Sequence, residues 1–151
     1  MTDAQLLSLD LTLVADSETE HLADEARLRS LARAVLETEG ASGAWEIAVA
    51  LVGDDALQAL HRQFMDIDEP TDIMTFPYGE KTPGGDLAIS IDHAVARAAE
   101  WENTPGQEIE FLVAHGILHL LGWQDTSPEQ REAMLARQTD LVRAWRAEVC
   151  N

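Results

Sequence analysis

Two things are scarce in this sequence, thiols and positive charge. A single cysteine, Cys150, stands next to the end of the 151-residue chain. One thiol cannot form an internal disulfide, nor build a cysteine-rich structural zinc site, and it fits a reducing cytosol. Ten basic side chains face 28 acidic ones, a formal charge of −18. Broad, non-specific binding to nucleic acid is argued against, because phosphate affinity comes mostly from Lys and Arg. A role on nucleic acid would need a local basic patch, a metal or a basic protein partner. Also missing are apolar runs of the ~18 residues that a membrane helix needs, and a basic leader ahead of an apolar start. There is no internal repeat, low-complexity tract or linker rich in Pro or Ser. The expectation is one domain over residues 1–151, cytoplasmic and away from the membrane.

The residues that are there pattern as a globular α+β chain. Leu7, Leu9, Leu11 and Leu13 alternate with polar residues, as does the series Trp45, Ile47, Val49 and Leu51, and both read as half-buried strands. Between them the spacing of Leu28, Leu31, Ala32 and Val35 predicts a helix from about Ser17 to a cap at Gly40. Asp54 is placed to cap a short helix whose inner face is Leu57, Leu60 and Phe64. Ile73–Phe76 and the alternation of Leu87, Ile89 and Ile91 in GGDLAISID predict an antiparallel hairpin, followed by a helix from Asp92 to Glu102. Thr104-Pro-Gly-Gln and Ser127-Pro-Glu-Gln each give a hydroxyl cap, a proline and a glutamine at the third helical position, opening two more helices. The methionines read as core fillers. The order βαβαββααα gives a mixed sheet of about four strands packed against about five helices.

Chemistry concentrates in the stretch HGILHLLGWQD, His115 to Asp125. From Phe111 to Trp123 the only polar side chains are His115 and His119. On a helix their spacing puts both on one face about 6 Å apart. Unpaired imidazoles in so apolar a helix would cost several kcal/mol. Gly122 stops the helix by taking a left-handed conformation, and Asp125 can then swing back to the histidine face. Two imidazoles and a carboxylate make three ligands with a fourth position for water, the arrangement of catalytic zinc, whereas a structural site is closed by a fourth side chain. The spacing is that of the metzincin motif with Asp in the last place. Zinc peptidases of that type carry glutamate directly after the first histidine as general base; here it is Gly116, which argues against proteolysis.

The same stretch resembles the signature of the YbeY endoribonucleases, His-Gly-x-Leu-His-Leu-x-Gly-Tyr-Asp-His. His115, Gly116, Leu118, His119, Leu120 and Gly122 match it, and Trp123 stands for the tyrosine. DEPTDIMTFP, Asp68 to Pro77, and GDLAIS, Gly85 to Ser90, are similar to two further family blocks, in family order and spacing. There are two departures. The family's third histidine ligand is Asp125, preceded by Gln124 where the family has an acid. The position of a family arginine that serves RNA phosphate is Met65, with Arg62 one helical turn back. Asp72 and Ser90 lie in the shared blocks and read as a turn cap and a helix cap. His61 and His93 read as surface residues, His93 being the more plausible neighbour of a pocket.

The resemblance implies a zinc-dependent single-strand endoribonuclease acting in 16S rRNA 3′-end maturation and ribosome quality control. It implies one Zn²⁺ held by His115, His119 and Asp125, which Ni²⁺ could replace in a preparation. The implied partners are small-subunit rRNA and the ribosome or a basic ribosomal protein. With no glutamate base, attack falls to a metal-bound water or to the RNA 2′-OH. Two other readings use the same residues: a ribosome-assembly factor whose metal is mainly structural, and a zinc hydrolase of another substrate class.

Overall fold

The computed structural model describes residues 6–69, 71–79 and 81–149; Cys150, the five opening residues and Pro70 of the DEPTD block lie outside them. Four strands and five α-helices follow one another as expected. They are β1 (Leu7–Val14), α1 (Glu25–Thr38), β2 (Gly43–Val52), α2 (Asp54–Met65), β3 (Ile73–Pro77), β4 (Gly84–Ser90), α3 (Ile91–Trp101), α4 (Pro105–Leu120) and α5 (Pro128–Val149). The sheet order is β1-β2-β4-β3, with β1, β2 and β4 parallel and β3 antiparallel to β4. The α+β class and the mixed sheet stand as read. Parallel β1 and β2 need a crossover, and α1 supplies it.

Register explains which face is buried. Leu11 pairs with Ile47, Leu13 with Val49, and Val49 with Leu87, so one layer of aliphatic side chains runs across the sheet under α1 and α4. Helix α4 is the pivot of the fold. It packs on α1, α3, α5, β3 and β4, and nine of its 16 residues are buried. Two of them are acids: Glu108, which accepts from Asn103 Nδ2 at 2.9 Å, and Glu110. The Glu110 carboxylate sits 3.0 Å from Arg27 Nε and 2.9 Å from an Arg146 nitrogen, and a charge so placed is tolerable only when paired.

Several local expectations shift. Helix α1 begins at Glu25 instead of near Ser17. Asp16 accepts hydrogen bonds from the backbone of Glu18 and Thr19 and from the Thr19 hydroxyl, which locks a turn that competes with helix. Asp24 is the residue that caps, accepting from the amides of Ala26 and Arg27. Asp54 does not cap α2: the N-cap is Gly53, and the Asp54 carboxylate accepts instead from Ser90 and His93. Ile91 is the first residue of α3, not the last of a strand, because Ser90 caps that helix by accepting from the His93 amide. Phe64 is 58% exposed, not inward, and meets Phe76 edge-on at 5.4 Å; α2 lies on the sheet face opposite the main core, chiefly over β3 and β4. Met74 and Met134 fill core as read, whereas Met65 is exposed. The two capping motifs hold, at Thr104 with Gln107 and at Ser127 with Gln130.

The two glycines that open β4 are required by contact. Gly84 has φ +129°, and a Cβ there would stand 1.8 Å from the Glu46 carbonyl oxygen. Gly40, at φ +79°, would place its Cβ in open space. Gly84→Ala should therefore lower the unfolding free energy by about 3 kcal/mol or more, and Gly40→Ala by only about 1 kcal/mol. Urea midpoints of the two variants check this; equal losses would mean that the β2–β4 contact is looser than described.

Candidate metal centre

The end of α4 builds the site. Leu121 is its C-cap, and Gly122, at φ +104°, turns the chain. The Gly122 amide donates to the His119 carbonyl and the Trp123 amide to Leu118, both at 3.0 Å; this is the paired closure that a left-handed glycine permits. The turn leaves the Trp123 carbonyl facing back at the helix, where His119 Nδ1 meets it at 3.0 Å. The chain then runs on to Asp125 and into α5.

His115, His119 and Asp125 come together. The two Nε2 atoms are 3.1 Å apart, and Asp125 Oδ2 lies 3.5 Å from His115 Nε2 and 3.3 Å from His119 Nε2. Two ligands ~2.0–2.1 Å from a tetrahedral zinc stand ~3.3 Å apart, so the triangle has the size of one face of that polyhedron. All three side chains are partly exposed, His115 at 23%, His119 at 24% and Asp125 at 35%, which leaves one side open to solvent. Among the described residues no other group of three His, Cys, Asp or Glu side chains converges in this way.

Protons decide what the triangle can hold. Gln138 Nε2 donates to the Phe111 carbonyl at 3.0 Å, which turns Gln138 Oε1 towards His115 Nδ1, also at 3.0 Å. A carbonyl and an amide oxygen can only accept, so both imidazoles carry their proton on Nδ1. Their Nε2 lone pairs then point at each other and at a carboxylate oxygen. Three acceptors at such distances could hold a cation between them, and a ring N–H anchored on the far side is what keeps a metal-binding histidine in place.

The turn has its own support. The Trp123 indole N–H donates to Glu39 Oε1 at 2.9 Å, and Arg137 Nε holds the other oxygen of Glu39 at 2.7 Å. Gln138, the Trp123 carbonyl and Glu39 were not singled out from the sequence. Gln138 did leave a signal: it is the polar member of the buried stripe Met134, Leu141, Val142 and Trp145 on α5.

The remaining candidates lie elsewhere. Arg62 pairs with Asp68 at 3.4 Å, both more than half exposed, and His61 Nδ1 meets the Glu69 carbonyl. Asp72 bonds Arg97 at 3.3 Å instead of capping a turn by its side chain. His93 belongs to a separate cluster with Asp54 and Ser90. There the Ser90 hydroxyl, and after it His93, hold the Asp54 carboxyl below its usual range against the opposing effect of burial.

The family model described as Endoribonuclease YbeY matches residues 12–146. The chain belongs to the YbeY endoribonuclease family. Curated relatives of that description include one from Mycolicibacterium smegmatis, 35% identical over 75 residues, which are 50% of this chain and 42% of the relative. One from an Anaeromyxobacter species is 42% identical over 79 residues, 49% of this chain and 40% of that one. One from Moorella thermoacetica is 34% identical over 87 residues, 49% of this chain and 56% of that one. The matched part thus spans about half the length of these relatives. A solution structure of a Thermotoga maritima protein superposes with a TM-score of 0.59 at 28% identity, covering 92% of this chain and 93% of that one.

Within this YbeY fold, the absence of a glutamate after His115 has a steric cause. A Cβ on Gly116 would lie 2.7 Å and 3.0 Å from the two Leu87 methyls and 3.1 Å from Ile73 Cδ1. Helix α4 rests directly on β3 and β4 at this residue. Gly116→Glu should cost on the order of 3 kcal/mol, from overpacking and a buried carboxylate together. Denaturant unfolding measures it, and a variant as stable as the parent would mean that α4 can lift off the sheet.

Proposed function

We propose that this chain is a metal-dependent endoribonuclease that cuts single-stranded RNA during small-subunit rRNA maturation. The observation that carries the reading is the convergence of His115 Nε2, His119 Nε2 and Asp125 Oδ2 within 3.5 Å of one another, in a chain whose family model bears that activity in its description. His115, His119 and Asp125 are the ligands in this proposal. Zinc is the ion that suits two neutral imidazoles and one carboxylate at tetrahedral spacing, and nickel can take the same donors.

Bound there, zinc supplies Lewis acidity at a phosphoryl oxygen and at the oxygen that attacks it. The protein's own residues prepare that chemistry. Gln138 and the Trp123 carbonyl keep both Nδ1 protons outward, so each Nε2 is a ready donor without rearrangement. Asp125 adds a negative charge that three imidazoles would not, and so tempers the cation. Gly116 brings no base, and the Leu87 and Ile73 side chains packed against it leave little room for one. A peptidase mechanism that depends on a glutamate at that place therefore loses its support.

The wider reading follows from charge and family. A surface of net charge −18 favours approach to the ribosome through a basic protein rather than through bare RNA. The chain works as one domain and in the cytoplasm in this proposal; no helix among the described residues is long and apolar enough to cross a membrane.

Zinc bound per chain after purification without a nickel column should be close to one. Asp125→Ala and His119→Ala should abolish tight binding, and Gln138→Ala should weaken it by roughly 10–100-fold while leaving the ligands intact. Equilibrium dialysis against zinc reads all three, and an Asp125→Ala protein that still binds like the parent removes that ligand from the set. In a separate assay, the metal-loaded protein should cleave single-stranded RNA, and His115→Ala and His119→Ala should lose at least a hundredfold in rate. Equal rates in the three preparations would trace the cleavage to a contaminant.

A further inference from the structure

A groove of about 520 Å³ opens between α3 and α5, with α4 as its floor. It adjoins the metal centre. Gln138, which accepts from His115 Nδ1, lines it, and so does Phe111, one helical turn before His115. The wall on α3 carries Trp101, 69% exposed, and Arg97; the wall on α5 carries Leu135, 58% exposed, and Arg143. A volume of this size accommodates a small polar ligand.

The placement of charge around it is unequal. Seven of the nine arginines form ion pairs inside the chain: Arg27, Arg29, Arg33, Arg62, Arg97, Arg137 and Arg146. The two without a carboxylate partner among the described residues are Arg131 and Arg143, both on α5. With Leu135 and Thr139 they stand at i, i+4, i+8 and i+12, one stripe of that helix. Arg131 is at the metal end, its guanidinium 3.5 Å from the Asp125 carbonyl. Arg143 is twelve residues on, ~18 Å along the axis. Glu108, the acid that lines the groove, is engaged by Asn103 Nδ2; Arg143 on the wall, Arg131 beyond its metal end and an exposed indole on its rim match a strand that alternates phosphate and base.

We propose that this groove is the path of the single strand beside the scissile phosphate, with backbone phosphates at Arg131 and Arg143 and one base stacked on Trp101. The inference rests on the endoribonuclease reading and deepens it. It also answers the missing family arginine at Met65: the phosphate contacts come from α5 instead of α2. Arg97 contributes less, because Asp72 holds it.

The test is the binding of end-labelled 2′-O-methyl hexauridylate to the zinc-loaded protein, followed by fluorescence anisotropy over a salt series, beside cleavage kinetics on unmodified single-stranded RNA. Trp101→Ala should bind roughly five- to hundredfold more weakly, and Trp101→Phe should keep most of the affinity. Arg143→Gln should bind more weakly, with the slope of log affinity against log salt reduced by ~0.7. In cleavage it should raise KM with kcat retained. Arg33→Gln, on α1 beside the far edge strand β1, removes the same charge and should change neither. Parental binding by Trp101→Ala and Arg143→Gln, in a protein that binds and cleaves RNA, overturns the groove alone. An equal loss in Arg33→Gln makes the effect one of total charge and overturns it too. A parent protein that neither binds the oligonucleotide nor cuts RNA overturns the endoribonuclease reading, and the groove falls with it.

Discussion

Two ring protons govern this site. Each imidazole of α4 has one nitrogen committed to an oxygen that can only accept: Gln138 Oε1 for His115 and the Trp123 carbonyl for His119. That leaves both Nε2 lone pairs facing inward with the Asp125 carboxylate, a cluster of acceptors that repel one another in the absence of a cation. Gln138 and the Trp123 carbonyl fix both rings, and side chains fixed in this way can take up a metal ion without the cost of ordering flexible ligands.

The rest of the architecture serves to keep α4 where those protons demand. Gly116 lets the helix sit against Leu87 and Ile73, and Gly85 lets the helix end approach β4, since a Cβ there would come within 2.7 Å of Leu120 and 2.6 Å of the Phe76 carbonyl. On the other side Glu39, from the end of α1, ties down both the Trp123 indole and Arg137 of α5. The turn after α4 is thereby fastened to two helices far apart in sequence. The glycine at 116 is thus a packing requirement that also determines chemistry, because the place where a peptidase would carry its base is filled by the sheet.

What the sequence made legible was what is local. The spacing of His115 and His119, the stop at Gly122 and the return of Asp125 all fall within eleven residues, and helical geometry with one glycine turn brings them to one point. The Thr104 and Ser127 caps were legible for the same reason. Illegible parts depend on distant partners. Gln138 acts on His115 across 23 positions and Glu39 on Trp123 across 84. Asp54 looks like a cap until Ser90, at the end of β4, and His93, on α3, claim its carboxylate. The start of α1 was missed because Asp16 binds its own following amides, a turn that the apolar stripe of the helix does not register. Phe64 has helical spacing towards a core that does not extend beneath it.

The acidity that first argued against nucleic acid takes on a different meaning once charges are placed. A chain in which seven arginines are neutralised by its own carboxylates presents repulsion over most of its surface. A duplex, which needs a wide cationic face for both of its backbones, finds none among the described residues. A single strand needs only a narrow line of attraction, and on the proposed path Arg131 and Arg143, without a carboxylate partner among the described residues, give α5 a line of that width ending at the candidate metal centre. On the proposed path, net negative charge acts as a selector among nucleic acids while still favouring basic proteins: it weakens every approach of a polyanion except the one along α5.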